Sequence, residues 1–204
     1  MYKMLISAAF VCTIFFNGCH KPCQKNNYRF NGLGMFTPEK DSLQIGDTIW
    51  CNSSVPNQLR DNSLNQLIDY SGATNFRSQI NFGLVSFTNP TGGAVDSFVF
   101  IPIKGTISTN PLLPNAAKTV AYIEQNGKYE LSFGFVAQKK GIYFVSVIDI
   151  GNSKKDCSDA IISLTLSNIN KHQYYLNAIY FPGSPWGDSI PPIVQTHSYC
   201  FKVY

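Results

Sequence analysis

Short runs in which apolar and polar side chains alternate recur along this chain, and they constrain its fold more than any other feature. The clearest run covers residues 128–137, and its large apolar members fall at every second position: Tyr129, Leu131, Phe133 and Phe135. Successive side chains of a β-strand point to opposite faces, so a period of two indicates a strand with one buried face. Residues 142–150 are apolar at both parities up to Asp149, which predicts a strand covered on both sides. The short polar turn between the two runs predicts a hairpin.

Further β-rich runs occur along the rest of the chain, separated by clusters of Gly, Pro, Asn and Ser. They cover residues 28–36, 48–50, 81–88, 96–103, 160–168 and 199–203. In the last two runs the predicted inward side chains are Ile162, Leu164, Leu166, Tyr199, Phe201 and Val203. Evidence for helix is thin: residues 59–70 have room for a turn or two, and residues 170–181 fit a helix or a strand.

This pattern predicts an all-β fold with little helix. About ten short strands at this spacing indicate an antiparallel β-sandwich. Residues 28–204 fit one enlarged domain, because no linker and no internal repeat interrupts them. Two smaller sandwiches packed together are the alternative.

The low share of charged residues excludes some classes of protein. Charged residues make up 14% of the chain and the formal net charge is +4, whereas about a quarter of a typical soluble domain is charged. The high aromatic and β-branched content excludes intrinsic disorder. Nucleic-acid binding is not expected either, because it usually needs a cluster of Lys and Arg on one face.

The N-terminus has the layout of a secretory signal peptide. A short start containing Lys3 precedes an uncharged, mostly apolar run at residues 5–16. A membrane-spanning helix needs about 20 apolar residues, so this run is too short to cross a bilayer. Its length is typical of the apolar part of a signal peptide, which is removed and takes no part in the fold.

The end of this run resembles the lipobox of bacterial lipoproteins, in which a small residue precedes an invariant cysteine. Gly18 and Cys19 match that pattern, whereas Phe16 and Asn17 stand where Leu and Ala or Ser are usual. The resemblance implies a signal peptide at residues 1–18, a lipidated tether at residues 19–27, and a diacylglycerol group on Cys19. An ordinary secreted protein, with Cys19 or Cys23 in a disulfide, is the alternative.

The residues after Cys19 bear on where such a lipoprotein would reside. His20 stands where an Asp signals inner-membrane retention in some bacterial systems, which favours the outer membrane. Lipoproteins exported to the cell surface in some lineages carry a short acidic run after the cysteine, and residues 20–27 contain no acidic residue. The expectation is a periplasm-facing lipoprotein of the outer membrane.

The cysteine count agrees with lipidation. Of six cysteines, Cys12 would leave with the signal peptide and Cys19 would carry the lipid, so four remain: Cys23, Cys51, Cys157 and Cys200. An even number can pair completely in an oxidising compartment. Four cysteines allow three connectivities, and the sequence alone does not choose between them. The predicted pairs are Cys157 with Cys200, because each lies at a strand edge in the C-terminal part, and Cys23 with Cys51 as the N-terminal pair.

Two other segments resemble known proteins. Residues 139–147, with Lys140, Gly141 and Tyr143, resemble the basic-Gly-X-Tyr start of a late strand in bacterial immunoglobulin-like domains. That resemblance implies an immunoglobulin-like sandwich and carries no function. Residues 46–50 and 199–204 resemble uncharacterised envelope lipoproteins of similar layout, and this second resemblance implies no activity.

The sequence shows no pattern that indicates catalysis or a bound metal. The three histidines, His20, His172 and His197, lie far apart, and no cluster has zinc spacing. The acidic residues around the loop at residues 149–159 lack the calcium-loop pattern. There is no nucleophile elbow, phosphate loop or dinucleotide fingerprint. We therefore expect no enzyme activity, no cofactor and no metal site.

An aromatic cluster near the C-terminus is the one suggestive surface feature. It lies in a segment rich in Pro and Gly, and its members are Tyr174, Tyr175, Tyr180, Phe181 and Trp186. Aromatic rings on a loop can stack on sugars or anchor a protein partner. Their other interpretation is that they cap the open end of the sandwich core.

The leading hypothesis is a non-catalytic lipoprotein of the cell envelope that acts as a structural or binding component. Its expected partners are the membrane, through the lipid, and an envelope protein or a glycan. The alternative is a carbohydrate-binding module that uses Tyr175, Tyr180, Phe181 and Trp186. A hydrolase whose catalytic residues converge from separate loops is the third hypothesis.

Overall fold

The chain forms short β-strands almost throughout the part that is described in a computed structural model, residues 25–85, 92–167 and 197–204. The strands are β1 (Asn27–Thr37), β2 (Ser42–Leu43), β3 (Thr48–Pro56), β4 (Gln58–Arg60), β5 (Leu67–Asp69), β6 (Arg77–Val85), β7 (Gly92–Gly93), β8 (Phe98–Lys104), β9 (Thr106–Thr109), β10 (Ala117–Ala121), β11 (Ile123–Gln125), β12 (Lys128–Ala137), β13 (Gly141–Val147), β14 (Ile150–Lys155), β15 (Ser158–Leu166) and β16 (Ser198–Val203). A 3-10 helix, Val95–Ser97, precedes β8. Within the described ranges, no helix is both long enough and apolar enough to span a bilayer.

The strands form two large sheets that pack face to face. The first sheet has the order β11-β12-β3-β1-β15-β14, and β8 also pairs with β12. The second has the order β2-β16-β13-β6-β10-β9, and β7 also pairs with β6. A separate hairpin consists of β4 and β5. The predicted all-β sandwich is confirmed, although the pairs β1–β15 and β16–β2 are parallel rather than antiparallel.

Aromatic rings from both sheets meet in the core. The predicted inward residues of β15 and β16 are all buried, as are Phe36, Phe82, Phe98, Phe133, Phe135 and Tyr143. Phe36 of the first sheet lies 5.2 Å from Tyr199 of the second, and Phe98 lies 4.9 Å from Tyr143, between ring centroids. Tilted and edge-on contacts of this kind suit the charge distribution of aromatic rings. The two sheets are therefore joined by a continuous aromatic layer.

The hairpin predicted from residues 128–150 is wrong. β12 lies in the first sheet with β3 on one side and β8 and β11 on the other, whereas β13 lies in the second sheet between β6 and β16. Both sides of β12 are thus occupied, so the chain crosses to the other sheet after Ala137. The long apolar run also divides: β13 ends at Val147, and β14 returns to the first sheet.

Residues 59–70 contain a turn between two short strands and no helix, because Asp61 fixes the turn. Its buried carboxylate accepts hydrogen bonds from the amides of Ser63 (2.9 Å), Leu64 (2.6 Å) and Arg29 of β1 (2.8 Å). Burial raises the pKa of the Asp61 carboxyl, but the three amide donors outweigh it, so the pKa lies below its ordinary value. The β4–β5 hairpin is therefore attached to the start of β1.

Tyr143 fixes the crossing between the two sheets. Its hydroxyl donates to the carbonyl oxygen of Lys139 at 2.9 Å, and the carbonyl of Lys140 lies at 3.3 Å. The ring is buried against Phe98 and Phe201. A tyrosine at the start of a strand that bonds back to the preceding backbone is a recurring feature of immunoglobulin-like sandwiches. The Lys140, Gly141 and Tyr143 pattern therefore has a structural role in this chain.

Replacement Tyr143→Phe tests this role. The variant keeps the buried ring but lacks the donor, so we expect the free energy of unfolding to fall by about 1 kcal/mol. Denaturant titration measures the change. Tyr204→Phe is the control, because Tyr204 is exposed and should tolerate the same change. Equal stability of Tyr143→Phe and the unaltered protein would contradict the role.

Candidate functional site

Several residues predicted to be functional lie outside the described ranges. These are the lipidation candidate Cys19, the predicted disulfide partner Cys23, and the aromatic candidates Tyr175, Tyr180, Phe181 and Trp186. Their predicted roles stay predictions. Within the described ranges, no group of three or more His, Cys, Asp or Glu residues is arranged to hold a metal ion.

Both predicted disulfides are wrong in this structure. Cys51 and Cys200 are free, buried thiols, whereas Cys157 is disulfide-bonded. Cys51 faces the core of the first sheet from the middle of β3, and Cys200 lies in β16. Burial raises the pKa of the Cys51 thiol well above its ordinary value and that of Cys200 to about 12. A thiol with a raised pKa and no access to solvent is a poor nucleophile, so neither cysteine is a reactive site.

A different surface has the features of a binding site, namely the outer face of the first sheet around Trp50. We call it the Trp50 face. Strand registers place its residues on one side of the sheet: Leu33 and Met35 of β1, Trp50, Asn52 and Ser54 of β3, Glu130, Ser132 and Gly134 of β12, and Ile101 and Lys104 of β8. Leu33 is 63% exposed and Met35 is 42% exposed.

A shallow groove of about 360 Å³ runs across this face. Leu33 and Met35 contribute apolar walls, and the side chains of Asn52 and Ser132 contribute polar ones. The Ser132 hydroxyl donates to Oδ1 of the Asn52 side chain at 2.8 Å. This bond already pairs the Ser132 hydroxyl hydrogen with the Asn52 amide oxygen, so contact with an apolar partner would not leave these two groups without each other.

The charges that line the groove cancel. The Lys104 ammonium lies 2.9 Å from Glu130 Oε2, and the Gln125 side-chain amide also donates to this carboxylate. The bonds from Lys104 and then Gln125 hold the pKa of the Glu130 carboxyl below its ordinary value. Glu130 therefore remains ionised at neutral pH, and the groove presents a neutral ion pair.

The floor of the groove is preformed. The buried Ser53 hydroxyl donates to the carbonyl oxygen of Leu33 at 2.9 Å, and it accepts a hydrogen bond from the Tyr122 hydroxyl at 3.1 Å. These bonds connect β3 to β1 directly below the exposed Leu33. The exposed apolar side chains are thus mounted on paired strands rather than on a loop.

Trp50 lies over a glycine of the neighbouring strand. A Cβ atom at Gly134 would lie 2.9 Å from Cζ3 and 3.0 Å from Cε3 of the indole ring. Such distances are too short for carbon atoms, so the ring can cover the sheet at this position only because residue 134 has no side chain. Gly134 thereby sets the position of the largest side chain on the Trp50 face.

Sequence reasoning missed this face, although one signal for it was present. In β1, Arg29, Asn31, Leu33 and Met35 share one parity, and the last two are apolar although this is the outward parity. Exposed apolar residues that follow polar ones at the same parity indicate a local contact surface. The approach of Trp50 to Gly134 gave no such signal, because it depends on the register between β3 and β12.

Comparisons with known proteins add little beyond fold. The chain matches no family model and no curated protein. A crystal structure of the human F-spondin reeler domain is 10% identical, with a TM-score of 0.37, and the match covers 73% of this chain and 91% of that one. A type II cohesin dyad from the adaptor ScaA scaffoldin of Acetivibrio cellulolyticus is 11% identical, with a TM-score of 0.28, covering 68% of this chain and 46% of that one. Likeness at this level carries no argument about function.

Replacement Gly134→Ala tests the geometry at Trp50. In a chain that also carries Trp186→Phe, fluorescence reports Trp50 alone, since the protein has two tryptophans. We expect the added methyl group to displace the indole towards solvent, which shifts its emission to longer wavelength and lowers stability by about 1 kcal/mol.

The matched control is Gly34→Ala. The nearest atom to a Cβ at this strand position would be Leu166 Cδ2 at 3.5 Å, an ordinary contact. This variant should keep the emission of Trp50 unchanged. An unshifted emission in Gly134→Ala would show that the ring does not depend on the glycine.

Proposed function

We propose that this protein is a non-catalytic lipoprotein of the bacterial cell envelope, anchored through Cys19, that binds another envelope protein through the Trp50 face. The observation that carries the proposal is the groove on paired strands that is lined by the exposed apolar side chains of Leu33 and Met35. Trp50 lies on the same face of the sheet. Centres of protein interfaces are enriched in aromatic residues and Met and depleted of charge. The composition of the Trp50 face agrees with that description.

The chemistry of the face defines the partner. The charges that line the groove, Lys104 and Glu130, are paired with each other, so a strongly charged partner would gain no complementary charge there. A surface with apolar side chains and few charges suits the groove, because burying Leu33 and Met35 releases water from both sides. The partner is therefore an uncharged protein surface rather than a nucleic acid.

The N-terminal sequence supports the anchor. Gly18 and Cys19 follow an apolar segment of signal-peptide length, and no acidic residue occurs in residues 20–27. Several acyl chains on one cysteine hold a protein on a membrane almost irreversibly, because each buried methylene contributes about 0.8 kcal/mol. The proposed location is the outer membrane, with the sandwich in the periplasm.

Carbohydrate binding through Tyr175, Tyr180, Phe181 and Trp186 is the competing proposal. These residues lie outside the described ranges, and the proposal rests on the capacity of aromatic rings on a loop to stack on sugars. Specific retention of the protein on a glycan array, abolished by Trp186→Ala, would favour the competing proposal over the one made here.

Metabolic labelling with an alkyne fatty acid tests the anchor. We expect the unaltered protein to carry the label and Cys19→Ser to lack it completely, because the thiol is the proposed site of acylation. The matched control is Cys12→Ser, which changes another cysteine of the N-terminal segment and should keep the label. Labelling of Cys19→Ser at the level of the control would exclude the anchor.

Photo-crosslinking in cells tests the Trp50 face. A photoreactive residue in place of Leu33 should form a discrete adduct with one envelope protein. The same residue in place of Leu67 is the control, since Leu67 is 59% exposed and lies in the separate β4–β5 hairpin. Absence of an adduct from position 33, or an identical adduct from position 67, would contradict binding through this face.

A further inference from the structure

Cys157 is disulfide-bonded to a cysteine that lies outside the described ranges. It lies in the turn between β14 and β15 and is disulfide-bonded. Cys51 and Cys200 are free. The remaining cysteines of the sequence are Cys12, Cys19 and Cys23, and all three precede β1.

The start of β1 runs beside the Cys157 turn. β1 and β15 are parallel, with Asn27 opposite Asp159. The amide of Asp159 donates to the carbonyl oxygen of Asn26 at 2.9 Å, and its carboxylate lies 3.0 Å from the Lys25 ammonium. Continuing this register backwards by two residues brings Lys25 level with Cys157.

Distance along the chain then separates the candidates. Bonded cysteines have Cα atoms about 4.4–6.8 Å apart, and an extended chain advances about 3.3 Å per residue. Cys23 is two residues before Lys25, a span of at most about 7 Å, which is short enough for a bond to Cys157. Cys19 is six residues before Lys25, which places it roughly 20 Å farther along an extended chain.

We propose that Cys23 and Cys157 form a disulfide that staples the lipidated tether to the turn between β14 and β15. The inference rests on the proposed function in one respect, because lipidation of Cys19 leaves Cys23 as the nearest available thiol. Each of the two thiols loses one proton and one electron when the S–S bond forms. The two electrons reduce the disulfide of an envelope thiol oxidase to its dithiol, by exchange through a mixed disulfide.

The staple determines how the sandwich is presented to its partner. Three residues lie between Cys19 and Cys23, so the disulfide would hold the end of the sandwich that carries the Cys157 turn within about 14 Å of the lipid attachment point. The β4–β5 hairpin lies at this same end, because the Lys155 ammonium donates to the carbonyl oxygen of Asp69 at 2.7 Å. The staple would therefore keep the Cys157 turn and the β4–β5 hairpin at the membrane-proximal end of the sandwich.

Differential alkylation of the full-length protein from membranes tests the staple. The protein is denatured and blocked with one alkylating reagent, then reduced and labelled with a second reagent, and mass spectrometry locates each label. We expect the first reagent on Cys51 and Cys200, and the second on Cys23 and Cys157. The first reagent on Cys157 would overturn the proposal.

Single variants identify the partner. In Cys157→Ser, Cys23 should become reactive to the first reagent, and in Cys23→Ser, Cys157 should. Cys200→Ala is the matched control, because it removes a free thiol and should leave the labelling of Cys23 and Cys157 unchanged. Cys157 that stays protected from the first reagent in Cys23→Ser would overturn the proposed pairing.

Fatty-acid labelling of the same samples separates failure of the staple from failure of the anchor. An acylated Cys19 together with a reactive Cys157 refutes only the staple. Cys19 without lipid, and released as a free thiol by Cys157→Ser, refutes the staple and the lipid anchor together. Both proposals hold when Cys19 carries lipid and when removal of either Cys23 or Cys157 makes the other one reactive to the first reagent.

Discussion

The parallel pairing of β1 with β15 is the contact on which the rest of the structure depends. It places the first strand of the sandwich in the middle of the first sheet, with β3 on its other side. Close packing there requires Gly32: a Cβ atom at that position would lie 2.8 Å from Leu164 Cδ2 and 3.0 Å from Val55 Cγ2. Without a side chain at residue 32, β15 and β3 can both extend large side chains beneath β1, and the aromatic layer between the sheets can close.

On each outer face of the sandwich an aromatic ring packs over a glycine, but the two faces differ in how much apolar surface they expose. Trp50 lies over Gly134 on the first sheet, and Phe144 lies over Gly83 on the second, where a Cβ atom would overlap the phenyl ring. An aromatic side chain across from a glycine covers backbone that would otherwise be exposed. On the second sheet, β16 is buried on both faces, including Ser198 and Cys200. On the first sheet, Leu33 and Met35 remain exposed, so this is the face that offers apolar surface to a partner.

Local patterns predicted the strands well and their partners poorly. Residues 128–137 form a strand with the predicted bounds because alternation is a property of one segment. The sheet that β13 joins depends on which strand edges are already paired, and the local sequence does not contain that information.

The cysteine pairings were predicted wrongly for the same reason. Cys51 shares the inward parity of Ile49 and Val55, which marks it as a core residue, but the bonded state of Cys157 depends on which distant segment lies beside its turn. The Trp50 face was partly visible in Leu33 and Met35, whereas its groove depends on the register of four strands.

The pairing of Asn27 with Asp159 also sets the timing of folding. Synthesis proceeds from the N-terminus, so β1 emerges early, and its neighbour β15 follows only after most of the chain. Until then one edge of β1 has no partner, and the first sheet cannot close. Contacts between residues so far apart in sequence make folding slow, and unpaired strand edges expose a chain to aggregation in the meantime. With few charges to keep copies apart, the interval before β15 arrives is the period when this chain most needs a chaperone.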